Sequence, residues 1–315
     1  MSSASPPDST KFSAPIDLRR VRELFADPAR IAESGFLRRE IAGRMHERLQ
    51  LVKIAPAQVL DAGCGEGADL APLHQHFPEA RIIGIDGAQA MLAQAAADDA
   101  AAHSSLNRML ARWLPASMRG RGAAAPDLVC ADFGRLPLAP VSVDLIWSNL
   151  ALHWHPQPDQ VFAEWRRVLK VDGLLMFSCF GPDTLRELRS AMAAGGQGDA
   201  RVLPFVDMHD FGDMLVNAGF STPVMDMETL TVTYESVDKL IADVRALGGN
   251  PLATRMRGLL GRDAWRRSVD ALESLRREGR MPLTFEVIYG HAFRPAPRTT
   301  ASGEAIIRFD PRRKH

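Results

Sequence analysis

One short segment limits how this chain can fold: residues 58–67, with the sequence QVLDAGCGEG. Its apolar first half has the composition of a β-strand, and this strand runs directly into Gly63, Gly65 and Gly67. Glycines at this spacing let the backbone turn sharply and let a ligand lie against it. Asp61 and Glu66 place carboxylates beside the turn, where they would repel a dinucleotide pyrophosphate. The segment therefore favours a ligand with cationic groups, S-adenosylmethionine, over a nicotinamide or flavin dinucleotide.

Acidic side chains also follow the next two predicted strands. Asp86 ends the second strand, at the sheet edge where a carboxylate binds ribose hydroxyls. Asp132 and Phe133 follow the third strand and can offer a carboxylate to the adenine amino group and an aromatic face to its ring. Taken singly, Asp61 could be a helix N-cap and Asp132 a turn former, but acids at successive strand ends behind a glycine turn favour a cofactor site. The predicted cofactor-binding residues are Asp61, Gly63, Cys64, Gly65, Gly67, Asp86, Gly87, Met91, Asp132, Phe133, Asn149 and Leu150.

The alternation of short apolar runs with helix-length segments predicts a parallel α/β sheet. Seven strands are predicted, at residues 58–61, 81–86, 127–130, 143–149, 174–180, 229–234 and 283–293. Later helices are expected at residues 183–193, 207–218, 236–247 and 263–278. The predicted fold class is α/β: a Rossmann-like, seven-stranded and mostly parallel sheet with helices on both faces and a helical lid.

The chain is expected to divide into five segments. They are a flexible Ser/Pro-rich tail at 1–17, N-terminal helices at 18–57, a cofactor-binding core at 58–182, a helical lid or substrate subdomain with a late strand at 183–280, and the last strand with a C-terminal tail at 281–315. Within the core, an Ala-rich helix followed by a Gly/Ala turn makes residues 91–126 an expected insertion.

The charge balance and cysteine content narrow the class of protein. The chain holds 38 basic and 38 acidic residues, which argues against a dedicated nucleic-acid or membrane-surface protein because those carry a basic excess. No stretch approaches the roughly 20 apolar residues of a membrane span, and no metal-ligand spacing is present. Cys64, Cys130 and Cys179 are widely spaced and odd in number, so a reducing compartment, the cytoplasm, is expected. Cys64 is expected only to fit the turn as a small residue.

Several motifs of the chain resemble those of one enzyme superfamily. VLDAGCGEG at residues 59–67, with the acids at 86 and 132, is similar to the class I, Rossmann-like methyltransferases. A narrower set resembles the biotin-synthesis methyltransferase family BioC: WSNLALHW at 147–154, GPDTLREL at 181–188, RALGGNPL at 245–252 and PLTFEVIY at 282–289. This resemblance implies S-adenosylmethionine as cofactor and methylation of the free carboxylate of malonyl carried on acyl carrier protein. One departure is that BioC-like chains usually place a tyrosine in the helix before the core, and residues 25–32 have none.

The predicted catalytic residues are His153 and Trp154, which follow the fourth strand at the edge where open α/β sheets bind ligands. An ionised carboxylate needs no general base, so these residues would align it and exclude water. His153 could donate a hydrogen bond to it, or could only cap the next helix. A cationic partner is expected among the arginines of residues 245–298, which could also steer an acidic carrier. Four methionines of the expected lid either wrap a pantetheine arm or belong to the core: Met208, Met214, Met225 and Met227.

Two other functions stay open at this point. The chain also resembles the methyltransferase-like assembly factors of respiratory complex I over residues 181–189, 209–220 and 261–263. Such a protein would bind or modify a protein subunit through an open groove. A small-molecule methyltransferase would instead need a closed pocket. The cofactor motif is common to all three and does not separate them.

Overall fold

The structure is a computed structural model, and it describes residues 14–110, 126–196, 202–256, 258 and 261–297. Seven strands are present in these residues. They are β1 (Gln58–Ala62), β2 (Arg81–Asp86), β3 (Asp127–Cys130), β4 (Val143–Asn149), β5 (Leu169–Phe180), β6 (Ser221–Tyr234) and β7 (Met281–Phe293).

Helices precede the first strand and connect most of the others. They are α1 (Leu18–Leu24), α2 (Pro28–Ala32), α3 (Gly35–Leu49), α4 (Leu70–His76), α5 (Gln89–Leu110), α6 (Pro158–Val168), α7 (Arg186–Ala194), α8 (Met208–Asn217), α9 (Val237–Ala246) and α10 (Arg262–Glu273). A short 3-10 helix at Leu152–Trp154 follows β4.

The strands form one sheet in the order β3-β2-β1-β4-β5-β7-β6. Only β7 runs antiparallel to its neighbours β5 and β6, so the predicted seven-stranded, mostly parallel α/β fold is confirmed. The strand order reverses at β1, which has β2 on one side and β4 on the other. Loops that leave the sheet at such a point diverge and open a crevice at the carboxyl ends of the strands, where α/β proteins bind ligands.

Apolar side chains fill both faces of the sheet. Successive residues of a strand point to opposite faces, and accordingly Val59 of β1 joins the cluster that contains Met45 of α3, whereas Leu60 joins the cluster around Trp165 of α6. All four are essentially inaccessible to solvent. Because helices cover both faces, the strands carry near-continuous apolar runs instead of an alternating pattern.

Strand β6 is longer than the sequence predicted, because it begins at Ser221 and not at residue 229. Pro223 and a register shift between Ser221 and Val224 interrupt the local strand pattern. Pairing with the long neighbour β7 makes the segment a strand in spite of its composition. Met225 and Met227 therefore belong to the sheet, and their predicted place in a lid is wrong.

The other two methionines of that prediction lie on α8, which packs against β6. Met214 is buried there, in the same core cluster as Trp165. The predicted insertion is described only as far as the end of α5, and residues 111–125 lie outside the described residues. In the part of the chain that the structure describes, no helix combines the length and apolar character required to cross a membrane.

Candidate active site

The glycine turn after β1 is packed too closely for side chains. Gly63 and Gly65 have φ angles of 83° and 54°, in the left-handed region that residues with a Cβ rarely adopt. A Cβ on Gly63 would lie 2.3 Å from the Cβ of Ala151. The backbone N–H groups of Gly63 and Cys64 both donate to the carbonyl oxygen of Ile85, at 2.8 and 3.0 Å. The turn is therefore held between β2 and the segment after β4.

Asp86, the last residue of β2, holds the turn in place through hydrogen bonds. Its Oδ2 accepts a hydrogen bond from the backbone N–H of Gly65 at 3.0 Å, and its Oδ1 accepts one from Ala88 at 2.7 Å. Burial raises the pKa of Asp86, and the two backbone hydrogen bonds oppose that shift only in part. Each carboxylate oxygen keeps a further lone pair, so Asp86 can also accept hydrogen bonds from ligand hydroxyls.

Asp69 is a site residue that the sequence did not reveal. Its Oδ2 accepts hydrogen bonds from Trp147 Nε1 at 3.0 Å and from Asn149 Nδ2 at 3.1 Å. The Ser178 hydroxyl donates to Asn149 Oδ1 at 2.8 Å and so fixes the orientation of that amide. Trp147 follows Asp69 by 78 residues. No local motif could therefore have connected them, although a lone acid shortly after the glycine turn was a visible signal.

A second buried carboxylate, Asp61, lies close to Asp69. Its Oδ2 has no hydrogen-bond partner among the described residues. Burial raises the pKa of Asp61 well above its ordinary value, and the charges of Asp69 and Asp86 raise it further. Burial also raises the pKa of Asp69, against the lowering effect of its two hydrogen-bond donors. Carboxylates that are desolvated and face one another are stabilised by a cation, so this part of the site suits a positively charged ligand group.

The crevice at the carboxyl ends of the strands holds a cavity, which we call the cofactor cavity. The structure brings most of the predicted cofactor-binding residues to its wall. They are Gly63, Cys64, Gly65, Asp86, Gly87, Met91, Asp132, Phe133, Asn149 and Leu150, and Asp69 joins them. Asp61 and Gly67 are not in the wall. Asp61 is buried, and Gly67 faces the protein interior, where a Cβ would lie 2.9 Å from both Leu70 and Ala95.

The N-terminal helices cover this cavity, which the sequence did not predict. Residues of α1 and its C-terminal cap line it: Leu18, Val21, Arg22 and Phe25. The backbone N–H of Asp17 donates to the carbonyl oxygen of Pro251 at 3.0 Å, which ties α1 to the loop after α9. Phe25 packs edge-on against Trp154 with ring centroids 5.4 Å apart. The only signal in the sequence was an amphipathic pattern, which does not say where a helix docks.

Charged side chains of both signs face the cofactor cavity. Arg38 of α3 forms a 3.0 Å ion pair with Glu66 and also donates to the carbonyl oxygen of Ile31. Arg39, the next residue, lines the same wall. On the opposite side, Asp132 accepts a hydrogen bond from the backbone N–H of Gly134 at 2.8 Å. The cavity can therefore bind a ligand that carries both a carboxylate and cationic groups.

The two predicted catalytic residues lie in different surroundings in the structure. Trp154 lines the cofactor cavity, whereas His153 does not. The imidazole of His153 is enclosed by Trp154, Phe180 and Phe205, and neither ring nitrogen has a partner among the described residues. Burial lowers its pKa to about 3, so the ring is neutral at physiological pH. Successive residues of a 3-10 turn point in different directions, which separates these neighbours.

A second cavity lies on the other side of Trp154, with a volume of about 600 Å³; we call it the distal cavity. Its wall comes from β5, β7, α7, α9 and the loop after α9, and it is mostly apolar, with Phe180, Leu188 and Val244 among its members. Among the described residues, Trp154 is the one that lines both cavities. Gly248 packs against its indole, where a Cβ would lie 2.6 Å from two ring carbons. The tryptophan therefore forms the partition between the two spaces.

The cofactor cavity fits S-adenosylmethionine. The partnerless Asp61 Oδ2 and the buried Asp69 suit its cationic methionine end. Gly65 leaves room for a ligand against the turn, since a Cβ there would meet no atom closer than 3.4 Å. The sheet order, the glycine turn and this acid-rich crevice define a class I methyltransferase that binds S-adenosylmethionine.

Comparison with known proteins gives the same class of protein and identifies the family within that class. Residues 60–177 match the family model described as a methyltransferase domain. A malonyl-(acyl-carrier protein) O-methyltransferase from Laribacter hongkongensis is 47% identical over 94% of this chain and 96% of its own length. One from Gallionella capsiferriformans is 45% identical over 93% of this chain and 96% of its own length. The YcgJ protein from Bacillus subtilis shares the fold, with a TM-score of 0.52 at 15% identity over 80% of this chain and 98% of that one. The chain belongs to the malonyl-(acyl-carrier protein) O-methyltransferase family.

Proposed function

We propose that this protein transfers a methyl group from S-adenosylmethionine to the free carboxylate of malonyl carried on acyl carrier protein, as a step in biotin synthesis. The observation that carries the proposal is the 47% identity over 94% of the chain to a malonyl-(acyl-carrier protein) O-methyltransferase. Relatives at 45% and 44% identity carry the same name. These relatives favour that acceptor over a respiratory subunit or a free small molecule.

The adenosine half of the cofactor is proposed to bind at the ends of β2 and β3. Asp86 would accept the ribose hydroxyls, because it lies at the end of β2 with lone pairs to spare. Asp132 would accept from the adenine amino group and Phe133 would pack against the ring. Phe133 is held for this role by Trp165, whose Nε1 donates to its carbonyl oxygen at 3.0 Å.

The methionine half is proposed to bind at the ends of β1 and β4. Asp69 would pair with the ammonium group, with the charge of Asp61 behind it, because both carboxylates are buried and burial raises the pKa of each. Asn149, whose amide is oriented by Ser178, lines the same region. Arg39 is proposed to bind the cofactor carboxylate, since arginine is the preferred partner of a carboxylate.

The proposed reaction does not require the protein to transfer a proton. Bound S-adenosylmethionine supplies a methyl group activated by its sulfonium. An acceptor carboxylate is ionised at neutral pH, so its oxygen forms the new bond to carbon while the sulfur–carbon bond breaks, and no residue has to remove a proton. Trp154 is proposed to position the acceptor, because it lies where the two cavities meet. Burial raises the pKa of the Cys64 thiol, so a covalent role for this cysteine is not part of the proposal.

Acyl carrier protein is the proposed partner, and the cytoplasm is the proposed location. All three cysteines, Cys64, Cys130 and Cys179, are free thiols, which supports a reducing compartment. His153 remains a predicted catalytic residue without a contact to the cofactor cavity. A neutral, enclosed imidazole could act only by supporting the ring of Trp154, whose centroid lies 4.8 Å away.

The proposal is tested by incubating the purified protein with labelled S-adenosylmethionine and malonyl-acyl carrier protein, and by measuring the intact mass of the carrier. One added methyl group on the malonyl carrier is the expected result. Uncharged carrier and the malonyl-coenzyme A thioester serve as controls for the acceptor, and Asp86→Ala serves as a control for the cofactor site. Cofactor binding without transfer to the malonyl carrier would contradict the proposal.

A further inference from the structure

The distal cavity contains none of the residues proposed to bind the cofactor, and hydrogen bonds of the fold hold its wall in place. Its volume of about 600 Å³ lies within the range of roughly 300–1,000 Å³ typical of ligand pockets. Strand β7 and helix α7 hold its shape. The Thr184 hydroxyl donates to the carbonyl oxygen of Glu286 at 3.0 Å, and the carboxylate of Glu187 accepts from the backbone N–H of Thr284 at 2.9 Å. These hydrogen bonds attach the apolar wall to the central sheet.

The distribution of exposure shows how the distal cavity is oriented. Trp154, at one end, is shared with the cofactor cavity. Three other lining residues, Leu188, Met192 and Phe285, are buried. Arg245 is exposed and also lines the cavity, so it lies at the mouth. Within the described residues no carboxylate forms an ion pair with Arg245. An occupant would therefore border the cofactor cavity beside Trp154 and meet the Arg245 side chain where the distal cavity opens.

We infer that the distal cavity binds the acyl-thioester arm of the acceptor, with the acyl end at Trp154 and the phosphate of the arm at Arg245. Such an arm is mostly uncharged along its length and anionic at both ends, which suits a mostly apolar wall with Arg245 at its mouth. This inference rests on the proposed function and adds the route by which the acceptor arrives. It makes two lining residues of the cavity, Val244 and Arg245, determinants of acceptor affinity.

The test separates acceptor affinity from cofactor affinity. Val244→Trp fills the distal cavity, and Val216→Trp is its matched control because Val216 is exposed on α8 and lines neither cavity. We expect Val244→Trp to raise the KM for malonyl-acyl carrier protein at least tenfold while the Kd for S-adenosylmethionine stays within twofold of the wild-type value. Val216→Trp should leave both unchanged. Arg245→Glu should raise the same KM, whereas Arg266→Glu, an exposed substitution on α10, should not.

A binding measurement gives a readout that does not depend on turnover. Trp154 and Trp265 both line the distal cavity, so malonyl-pantetheine should change the intrinsic tryptophan fluorescence of the wild type and not of Val244→Trp. If the wild type methylates the malonyl carrier and Val244→Trp behaves like Val216→Trp, the inference is overturned and the proposed function stands. Saturable binding of octanoate but not of malonyl-pantetheine would also overturn it, in favour of a fatty-acid site. If the wild type transfers no methyl group, the proposed function fails and the inference falls with it.

Discussion

The carboxylate of Asp69 accepts a 3.0 Å hydrogen bond from the indole nitrogen of Trp147, and both residues are buried. Asn149 donates to the same oxygen of Asp69, Oδ2. These hydrogen bonds hold the carboxylate at the wall of the cofactor cavity, and its pKa stays raised by burial although the charge of Arg38 lowers it in part. Because a bound cofactor would add positive charge, Asp69 should affect cofactor binding and protein stability in opposite directions.

The substitution Asp69→Asn tests this relationship. An amide oxygen can still accept both hydrogen bonds, but the charge is gone, so the Kd for S-adenosylmethionine should rise about tenfold, the equivalent of ~1.4 kcal/mol. The raised pKa of Asp69 means that its ionisation opposes folding, and this cost is fully present at pH values above the folded pKa. The cofactor-free variant should therefore be more stable than the wild type, by about 1 kcal/mol.

Isothermal titration measures the first effect and denaturant unfolding without cofactor measures the second. Asp127→Asn is the control, because Asp127 is an exposed partner of Arg81 outside the cavity wall and should change neither quantity. A variant that loses stability and keeps its cofactor affinity would show that Asp69 only supports the fold.

Cofactor affinity should weaken as the pH falls. Asp61, Asp69 and Asp86 all have pKa values raised by burial, so they take up protons at a pH above the ordinary aspartate range. Protonation removes the negative charge that the cationic cofactor needs, and cofactor binding should accordingly release protons near these pKa values. Titrations from neutral pH down into the ordinary aspartate range, in buffers of different ionisation enthalpy, measure both effects. Constant affinity and no proton release across that interval would contradict the assignment of these acids to the cofactor.

Two glycines of the turn should respond differently to alanine. In Gly63→Ala the new Cβ would clash with Ala151 at 2.3 Å in a backbone with φ of 83°, so the protein should lose about 2–4 kcal/mol of stability. In Gly65→Ala the nearest atom to the new Cβ is Met91 Cε at 3.4 Å, so the fold should lose only about 1 kcal/mol. The methyl group of Gly65→Ala would nonetheless take up cofactor space, and its Kd for S-adenosylmethionine should rise at least tenfold. Thermal unfolding and titration of both variants check this, and equal stability losses would contradict it.

The three cysteines should differ in reactivity. Burial raises the pKa of the Cys64 and Cys179 thiols, and the thiolate is the reactive form, whereas Cys130 is exposed. At neutral pH iodoacetamide should modify Cys130 at least tenfold faster than the other two, and Cys130→Ser should abolish the fast phase. Added S-adenosylmethionine should protect Cys64 further, because Cys64 lines the cofactor cavity. Peptide mass spectrometry follows each site separately, and fast labelling of Cys64 would refute the packing of the turn.

The amino-acid sequence by itself determined the sheet and the glycine turn of this protein. Strand-length apolar runs, the left-handed glycines and Asp86 at the end of β2 are set by interactions within a few residues or by the period of the pattern, which is why they could be predicted. The same local signals failed at Ser221–Glu228, where pairing with β7 outweighs composition.

Only the tertiary structure decided which residues share the site. Asp69 joins it through partners on a distant strand, Phe25 reaches Trp154 because α1 is tied to the loop after α9, and His153 is excluded by the direction in which a 3-10 turn aims its ring. The distal cavity likewise forms between elements that are far apart in the sequence, with lining residues from Trp154 to Phe285. The physical reason is that a contact between residues far apart in sequence depends on how whole helices and strands pack, and no local pattern encodes that packing.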